Sequence, residues 1–220
     1  PVADNWQLRP NLLDYRWYAT VAPLADGRIL VTGGGGLQNP VRVNTTELYD
    51  QATGQSTWGD TIAVGNEVSP IVQLYNGKVL MTHRPPQLFD PATDQWSLAA
   101  DFVQAKRMPN GDHSDHELIL LPNDDGRAVA IGYISFTPNQ PSNLVEIYDP
   151  KADSWSLGSN FAPMRSRAKM VLLPNRKIMV AGGFKEDQAH SARVNQWGQL
   201  YLTDEYDPAT DSWRRLDSLN

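Results

Sequence analysis

Short apolar segments alternate with polar turn residues along most of the chain. Four stretches have the pattern of hairpins, with two apolar strands around a tight turn: 19–34, 71–82, 117–132 and 169–183. Their turn residues are Asp26-Gly27, Asn76-Gly77, Asp125-Gly126 and, with the weakest signal, Asn175-Arg176. Asn-Gly or Asp-Gly between apolar runs is a strong hairpin signal. Because helical periodicity is almost absent, the pattern predicts an all-β protein.

A second motif follows each hairpin. An aromatic residue, Asp, a short turn and Trp occur in 48–58, 88–96, 147–155 and 205–213. Asp and Pro favour tight turns, so the aromatic residue and the Trp are predicted to be core residues on adjacent strands. Each hairpin with these two strands makes a four-stranded antiparallel unit. Such units at intervals of roughly 40 to 50 residues are typical of a kelch-type β-propeller. A β-sandwich is the alternative fold.

The repeat predicts how the chain is divided. Residues 1–8 match the second half of the turn motif and are predicted to be the outer strand of a preceding blade. Four blades follow, and the last seven residues would begin the next one: 9–58, 59–96, 97–155, 156–213 and 214–220. The prediction is a single β-propeller region of four four-stranded blades plus one extra outer strand. It would belong to a larger ring of about seven blades, and a small closed ring is the alternative.

Composition and charge exclude several classes of function. The net charge is -6, from 19 Lys and Arg against 25 Asp and Glu. A nucleic-acid partner is not expected, because the chain offers no basic face for phosphates. A membrane partner is not expected either, since no apolar run approaches the roughly 18 residues of a membrane helix. The chain has no cysteine, so it contains no disulfide and no thiolate metal ligand.

One string of residues is not explained by the repeat alone. Arg16-Trp17-Tyr18 starts the first hairpin and is followed by the sequence ADGRILVTGG at 25–34. These residues resemble the glyoxal oxidase and galactose oxidase family of copper radical oxidases. The resemblance continues in the same order at 69–81, 87–90 and 164–183.

The resemblance implies an activity and a cofactor. Members oxidise an alcohol or aldehyde and reduce O2 to H2O2, and Tyr18 would be the tyrosine that binds copper and carries the radical. The cysteine cross-linked to that tyrosine would lie in the preceding blade, and a Tyr-His pair would follow Asn220. The stacking tryptophan of galactose oxidase falls near Gly35-Gly36, where this sequence differs. With at most one copper ligand, the chain alone is predicted to be inactive.

Two further sets of residues are candidates for binding. Asp112, His113 and His116 have the composition of a metal site at the start of the third inner strand, with a polar loop and a hydrogen-bonded His116 as the favoured alternative. Arg16, Arg165 and Arg167 start inner strands, where guanidinium groups would favour oxygen-rich or carboxylate substrates. Surface charge at strand ends is an equal alternative for these arginines.

Two functional hypotheses result. The first is the middle of a secreted copper radical oxidase, extracellular or periplasmic, with a small-molecule or carbohydrate substrate. Its remaining blades would come from a missing segment or a separate chain. The second is a non-catalytic kelch β-propeller that binds carbohydrate or protein through its rim loops. The fold does not decide between them, since propellers carry many functions.

Overall fold

The predicted hairpins and turn motifs form four four-stranded antiparallel sheets. The computed structural model describes residues 8–35, 43–63, 69–83, 85–104, 115–122, 125–137, 140–159, 165–166, 168–185 and 202–217. The first two sheets are built from β1 (Thr20–Pro23), β2 (Arg28–Thr32), β3 (Thr46–Asp50), β4 (Gln55–Trp58), β5 (Ile71–Gln73), β6 (Val79–Met81), β7 (Gln87–Asp90) and β8 (Gln95–Leu98). The later strands are β9 (Asp115–Leu120), β10 (Ala128–Thr137), β11 (Gln140–Asp149), β12 (Ser154–Leu157), β13 (Arg165–Ser166), β14 (Lys169–Leu172), β15 (Ile178–Ala181), β16 (Phe184–Lys185), β17 (Thr203–Asp207) and β18 (Ser212–Arg215).

Each sheet is a meander in chain order. The orders are β1-β2-β3-β4, β5-β6-β7-β8, β9-β10-β11-β12 and β14-β15-β17-β18, and β13 pairs with β16 as a two-stranded extension. The first strands of consecutive sheets lie next to one another, β1 beside β5, β5 beside β9, and β9 beside β14. This is the arrangement of blades around a propeller axis. The predicted fold class is therefore confirmed for the described part of the chain.

The hairpin turns have the chemistry that the sequence predicts. In the first turn, the Leu24 N–H donates to the Arg28 carbonyl at 2.8 Å and the Gly27 N–H to the Leu24 carbonyl at 3.1 Å. The residue before the returning strand is left-handed, with φ of 88° at Gly27 and 67° at Arg176. Glycine adopts this conformation without a Cβ clash. Arg176 takes the same conformation at the turn with the weakest sequence signal.

Apolar clusters join each sheet to the next. Between the first and second sheets the buried residues are Ala22, Leu24, Leu30, Leu48, Val79 and Phe89. Between the second and third they are Leu74, Leu80, Phe102, Ala128, Ala130, Tyr148 and Trp155. Between the third and fourth they are Leu121, Val129, Ile131, Val145, Ala168, Ile178, Val180 and Tyr206. The core is thus a series of interfaces between sheets, as expected for stacked blades.

A polar contact accompanies two of these interfaces. Asp153 accepts the N–H of Ala100 at 3.0 Å, while Trp155 Nε1 donates to the carbonyl of Ala100 at 3.0 Å. In the next sheet, Asp211 accepts the N–H of Ser159 and Trp213 Nε1 donates to the Ser159 carbonyl, both at 2.8 Å. We call this pair of contacts the Asp-Trp clamp. It attaches the outer turn of one sheet to the segment that leaves the sheet before it.

The register corrects one prediction about the tryptophans. The aromatic residue pairs across the turn with Trp in three sheets: Phe89 with Trp96, Tyr148 with Trp155, and Tyr206 with Trp213. In the first sheet the partner of Tyr49 is Ser56, and Trp58 lies two positions further along, opposite Glu47. Trp58 is 54% exposed. The prediction that it is a core residue was wrong, because the end of the outer strand is exposed to solvent.

Some expectations fall on residues that the structure does not describe. The extra outer strand was predicted from residues 1–8, of which 1–7 lie outside the described residues. Within the described residues, no helix has the length and apolar character of a membrane-spanning segment.

Candidate functional site

A buried ion pair lies beneath the start of the first inner strand. Arg16 Nε donates to Glu47 Oε1 at 2.8 Å, and both side chains are completely buried. Arg16 Nη1 donates to the carbonyls of Gly33 and Thr45, and Nη2 donates to the Thr45 hydroxyl, at 2.7 to 2.9 Å. The guanidinium therefore holds three backbone segments together. A role for Arg16 in direct substrate binding stays a prediction that this burial does not favour.

The carboxylate of Glu47 also fixes the segment before β1. It accepts the N–H of Leu13 at 2.7 Å and that of Asp14 at 3.1 Å. Glu146, at the same position of the third sheet, accepts the N–H groups of Val103 and Gln104 at 2.7 and 3.0 Å. These glutamates were missed in the sequence. The available signal was an acidic or amide residue three positions before the Asp of the turn motif.

Trp17 lies across Gly35, in the segment that follows β2. The Trp17 N–H donates to the Gly35 carbonyl at 3.1 Å, and the Gly35 N–H donates back at 2.8 Å. A Cβ added to Gly35 would lie 1.1 Å from Trp17 Nε1, so the indole occupies the space of a side chain at position 35. Gly34 has φ +98°, and a Cβ there would lie 2.7 Å from the Trp17 carbonyl. These two glycines permit the close approach of the Trp17 segment.

Tyr18 follows directly and has an uncommon backbone conformation. Its φ is 55°, in the left-handed region. A bulky non-glycine residue there is a genuine outlier and costs on the order of 1 to 3 kcal/mol. The side chain is 71% exposed. Arg16 on one side and the Trp17–Gly35 pair on the other fix the flanking backbone. Tyr18 therefore presents a phenol to solvent at the start of an inner strand.

Copper is implied by the resemblance, and the donor atoms present test whether it fits. Tyr18 offers one phenol oxygen. The described residues contain no group of three or more His, Cys, Asp or Glu that could hold a metal ion. Protein copper sites combine several imidazole, thiolate or oxygen ligands. The described residues therefore do not fit a complete copper site, and bound copper would need ligands from outside them.

His116 lies inside the interface between the second and third sheets. It is buried, and its Nε2 lies 2.7 Å from the Thr82 hydroxyl. Its ring packs edge-on against Phe102, with 5.7 Å between the ring centroids. This is the placement of a hydrogen-bonded histidine at a blade edge, and a metal-binding role for His116 stays a prediction. Asp112 and His113 lie outside the described residues.

Arg165 and Arg167 are the other two arginines predicted to bind substrate, and they precede β14 of the fourth sheet in the sequence. Arg165 is in β13, opposite Lys185 in β16. Arg167 lies outside the described residues. Their proposed contact with substrate stays a prediction.

Two further tyrosines are structural. Burial raises the pKa of Tyr148 and of Tyr206, and hydrogen bonds to Asp153 and Asp211 raise each pKa further. The hydroxyl of Tyr148 donates to Asp153 at 2.8 Å, and that of Tyr206 donates to Asp211 at 2.7 Å. These phenols therefore stay protonated and support the Asp-Trp clamp.

Comparison with known proteins shows relatives of the same fold. No protein-family model matches the chain. The chain is 30% identical over 132 residues to Kelch repeat-containing protein kel-10 of Caenorhabditis elegans, covering 60% of this chain and 20% of that protein. It is 28% identical over 132 residues, with the same coverage, to Kelch repeat and BTB domain-containing protein F47D12.7 of the same organism.

A solved structure gives the more extensive match. It is described as a novel fungal alcohol oxidase with catalytic diversity among the AA5 family, in complex with copper. The TM-score is 0.73 at 17% identity, and the match covers 96% of this chain and 46% of the oxidase chain. The chain thus spans about a fifth of the curated relatives and under half of the oxidase. Together with the four sheets, these matches show a kelch-repeat β-propeller fold.

Proposed function

We propose that this chain forms the central blades of a copper radical oxidase that acts on an alcohol or an aldehyde. Two protons and two electrons leave the substrate and reduce O2 to H2O2. The observation that carries the proposal is Tyr18, whose exposed phenol is held in a left-handed conformation at the start of an inner strand. Backbone strain of this kind is concentrated at functional sites.

In this proposal the phenol of Tyr18 is one of several copper ligands, and the others come from outside the described residues. Copper would supply the one-electron redox chemistry and the binding site for the substrate oxygen. Within the chain, Arg16 and Glu47 hold the backbone beneath Tyr18, and the paired backbones of Trp17 and Gly35 hold it from the other side. Arg165 and Arg167 would bind the oxygen-rich part of the substrate, in an extracellular or periplasmic setting.

The fold match supports this proposal, since the chain superposes over nearly its whole length on a copper-bound alcohol oxidase. At 17% identity this likeness concerns the fold, so the assignment of the reaction depends on Tyr18. The fold match does not identify which alcohol is the substrate.

The test is H2O2 production from primary alcohols and aldehydes by the longest natural polypeptide that contains these residues. Tyr18→Phe removes the phenol oxygen and is expected to lower turnover at least about 1,000-fold, the scale of losing an essential group. Tyr15→Phe is the matched control, because Tyr15 is also exposed and lies three residues away. Equal turnover by the Tyr18→Phe variant and the parent protein contradicts the proposal.

A second candidate is a non-catalytic propeller that binds carbohydrate or protein through its rim loops. It is favoured by the two curated relatives, whose names describe kelch repeats, and by the absence of a metal-binding group among the described residues. It predicts glycan or protein binding that survives both Tyr18→Phe and a copper chelator. Loss of that binding in either condition contradicts it.

A further inference from the structure

One asparagine of the sequence stands in the acceptor pattern for N-linked glycosylation. Asn44-Thr45-Thr46 has the form Asn-x-Thr without proline at the middle position, and no other Asn-x-Ser or Asn-x-Thr occurs in the 220 residues. The pattern alone is not sufficient, because the modified asparagine must also lie on the surface of a secreted protein. Whether Asn44 lies on the surface is a property of the folded structure.

Asn44 is exposed although buried residues lie close to it in the chain. Val43 and Thr46 are 7% and 0% exposed, whereas Asn44 is exposed. The backbone is held at this point, since the Asn44 carbonyl accepts the Ile62 N–H at 2.9 Å and the Val43 N–H donates to the Gly34 carbonyl at 2.8 Å. The Asn44 side chain therefore projects outward from a segment that is attached to the rest of the fold.

The side-chain amide of Asn44 is not used by the fold. It makes no hydrogen bond within the described part of the chain. By contrast, the side chains of Asn76 and Asn175 accept the N–H groups of Lys78 and Lys177 in their hairpin turns, at 3.1 and 3.2 Å. A sugar attached to the Asn44 nitrogen would therefore break no hydrogen bond of the described structure.

Asn44 lies at the same edge of the first sheet as Tyr18. Thr20 pairs with Thr32, and Thr32 pairs with Thr46, so these threonines form one row across the sheet. Tyr18 and Asn44 each precede this row by two residues, on strands that run in the same direction. Two strand spacings separate their backbones by roughly 10 Å. A group on Asn44 would lie on the rim that carries Tyr18, outside the paired strands.

We propose that Asn44 carries an N-linked glycan. In the step that attaches it, the amide nitrogen of Asn44 attacks the anomeric carbon of an oligosaccharide that is linked to a lipid diphosphate. A C–N bond forms, the bond between the anomeric carbon and the diphosphate oxygen breaks, the amide loses one proton, and the lipid diphosphate leaves. This inference rests on the extracellular setting of the proposed function, but on neither copper nor Tyr18.

The position of Thr46 indicates when the glycan is attached. Its hydroxyl completes the acceptor pattern, yet in the folded chain Thr46 is completely buried. There the hydroxyl lies 3.0 Å from the Thr32 hydroxyl and accepts the Trp96 Nε1–H at 3.0 Å. Attachment at Asn44 therefore precedes folding of this segment, while the Thr46 hydroxyl is still accessible.

The first experiment uses mass spectrometry on the longest natural polypeptide that contains these residues, recovered from its natural source. Digestion after glutamate cuts at Glu47 and separates Asn44 from Asn76. Release of the glycan by a peptide-N-glycosidase in heavy-oxygen water is expected to convert Asn44 to labelled aspartate. Asn76 is exposed and outside the acceptor pattern, so its labelling should not depend on the enzyme. An unmodified Asn44, or labelling of Asn44 without the enzyme, overturns the proposal.

The second experiment compares variants of the same polypeptide, secreted from a eukaryotic host. Asn44→Gln removes the acceptor nitrogen from its pattern and is expected to lose the mass of one complete glycan. Thr46→Ser keeps both the hydroxyl and the pattern, so it is expected to keep the glycan. Asn76→Gln is the matched control for an exposed asparagine outside the pattern. An Asn44→Gln protein with the same glycan mass as the parent overturns the proposal.

H2O2 production by the parent protein and Asn44→Gln separates this proposal from the oxidase proposal. If only the oxidase proposal fails, neither protein produces H2O2, and the mass difference of one glycan between them remains. If only the glycan proposal fails, both proteins produce H2O2, and the two differ in mass by the substitution alone. The second result overturns the glycan at Asn44, and the first supports it.

Discussion

Three consecutive residues, Arg16, Trp17 and Tyr18, have three different environments. The Arg16 guanidinium is completely buried against Glu47, the Trp17 indole lies on Gly35, and the Tyr18 phenol is exposed. Alternation along a strand sends neighbouring side chains to opposite faces, and the positive φ of Tyr18 interrupts that alternation at the strand start. The exposed phenol is therefore a product of the contacts made by the two residues before it.

The two glycines that support Trp17 are expected to differ in their tolerance of a side chain. Gly34→Ala places a methyl group against backbone at a left-handed φ and is expected to cost about 2 to 3 kcal/mol of stability. Gly35→Ala clashes with the movable indole of Trp17 and is expected to cost about 1 kcal/mol. Urea denaturation measures both costs, and acrylamide quenching of tryptophan fluorescence should rise only where the indole is displaced, in Gly35→Ala.

The control for this prediction is Gly35→Ala in a Trp17→Ala background. Without the indole, the added methyl group has no clash, so its cost should fall to a few tenths of a kcal/mol. A cost that is unchanged in that background would show that Trp17 is not what occupies the space above Gly35.

At this scale the sequence predicted that Tyr18 lies at the start of an inner strand, but it did not predict the contacts of the neighbouring Arg16 and Trp17. Arg16 and Arg165 were both expected at strand starts, and strand position is a local property that the hairpin pattern reveals. The burial of Arg16 depends on Glu47, which lies 31 residues away. No local pattern encodes a contact of that separation, so the buried partner of Arg16 was not predicted from the sequence.

At the scale of single strands, an acceptor side chain on the third strand holds the segment that enters the sheet in the first three sheets. Glu47 does this in the first sheet and Glu146 in the third. In the second sheet Gln87 accepts the Ala63 N–H at 2.8 Å. The backbone just before the first strand of a sheet is thereby attached to the third strand of the same sheet.

Glu47→Gln is expected to destabilise the protein by about 3 kcal/mol, because it leaves the buried Arg16 charge without its counter-charge. The measurement is urea denaturation at pH 7. The double variant Arg16→Met/Glu47→Leu removes both charges and is expected to lose less stability than the sum of the losses in Arg16→Met and Glu47→Leu. If the losses of stability were additive, Arg16 and Glu47 would not be energetically coupled.

The Asp-Trp clamp predicts a pH dependence. Burial raises the pKa of Asp211, but hydrogen bonds from the Ser159 N–H and the Tyr206 hydroxyl outweigh it, so the pKa lies below its ordinary value. A lowered pKa stabilises the fold above the unfolded value of about 3.9. This stabilisation is lost as the pH falls through the folded pKa.

Asp211→Asn is therefore expected to be less stable than the parent protein at pH 7, with the difference shrinking below about pH 4. Urea denaturation at pH 7, 5, 4 and 3 measures it. Asp217→Asn is the control, since Asp217 is exposed and its carboxylate makes no hydrogen bond in the described residues. A difference between Asp211→Asn and parent that stays constant down to pH 3 contradicts the assignment.

For the whole molecule, the sequence predicted the four sheets because their signals are local. Asp-Gly and Asn-Gly turns determine where hairpins form, and the repeat determines how many there are. The position of Trp58 was wrong because register depends on cross-strand pairing: Tyr49 faces Ser56, two residues before the tryptophan. How much each sheet is covered also depends on its neighbours, so the exposure of Val171 is visible only in the folded structure.

In the proposed oxidase, Tyr18 supplies one copper ligand and the others come from outside the described residues. The most direct measurement is copper content, with electron paramagnetic resonance, of the longest natural polypeptide loaded with Cu(II), for the parent protein and Tyr18→Phe. We expect one copper per parent polypeptide, and in Tyr18→Phe a changed Cu(II) spectrum with copper affinity weakened at least about tenfold. Identical spectra and copper stoichiometry in the two proteins would contradict it.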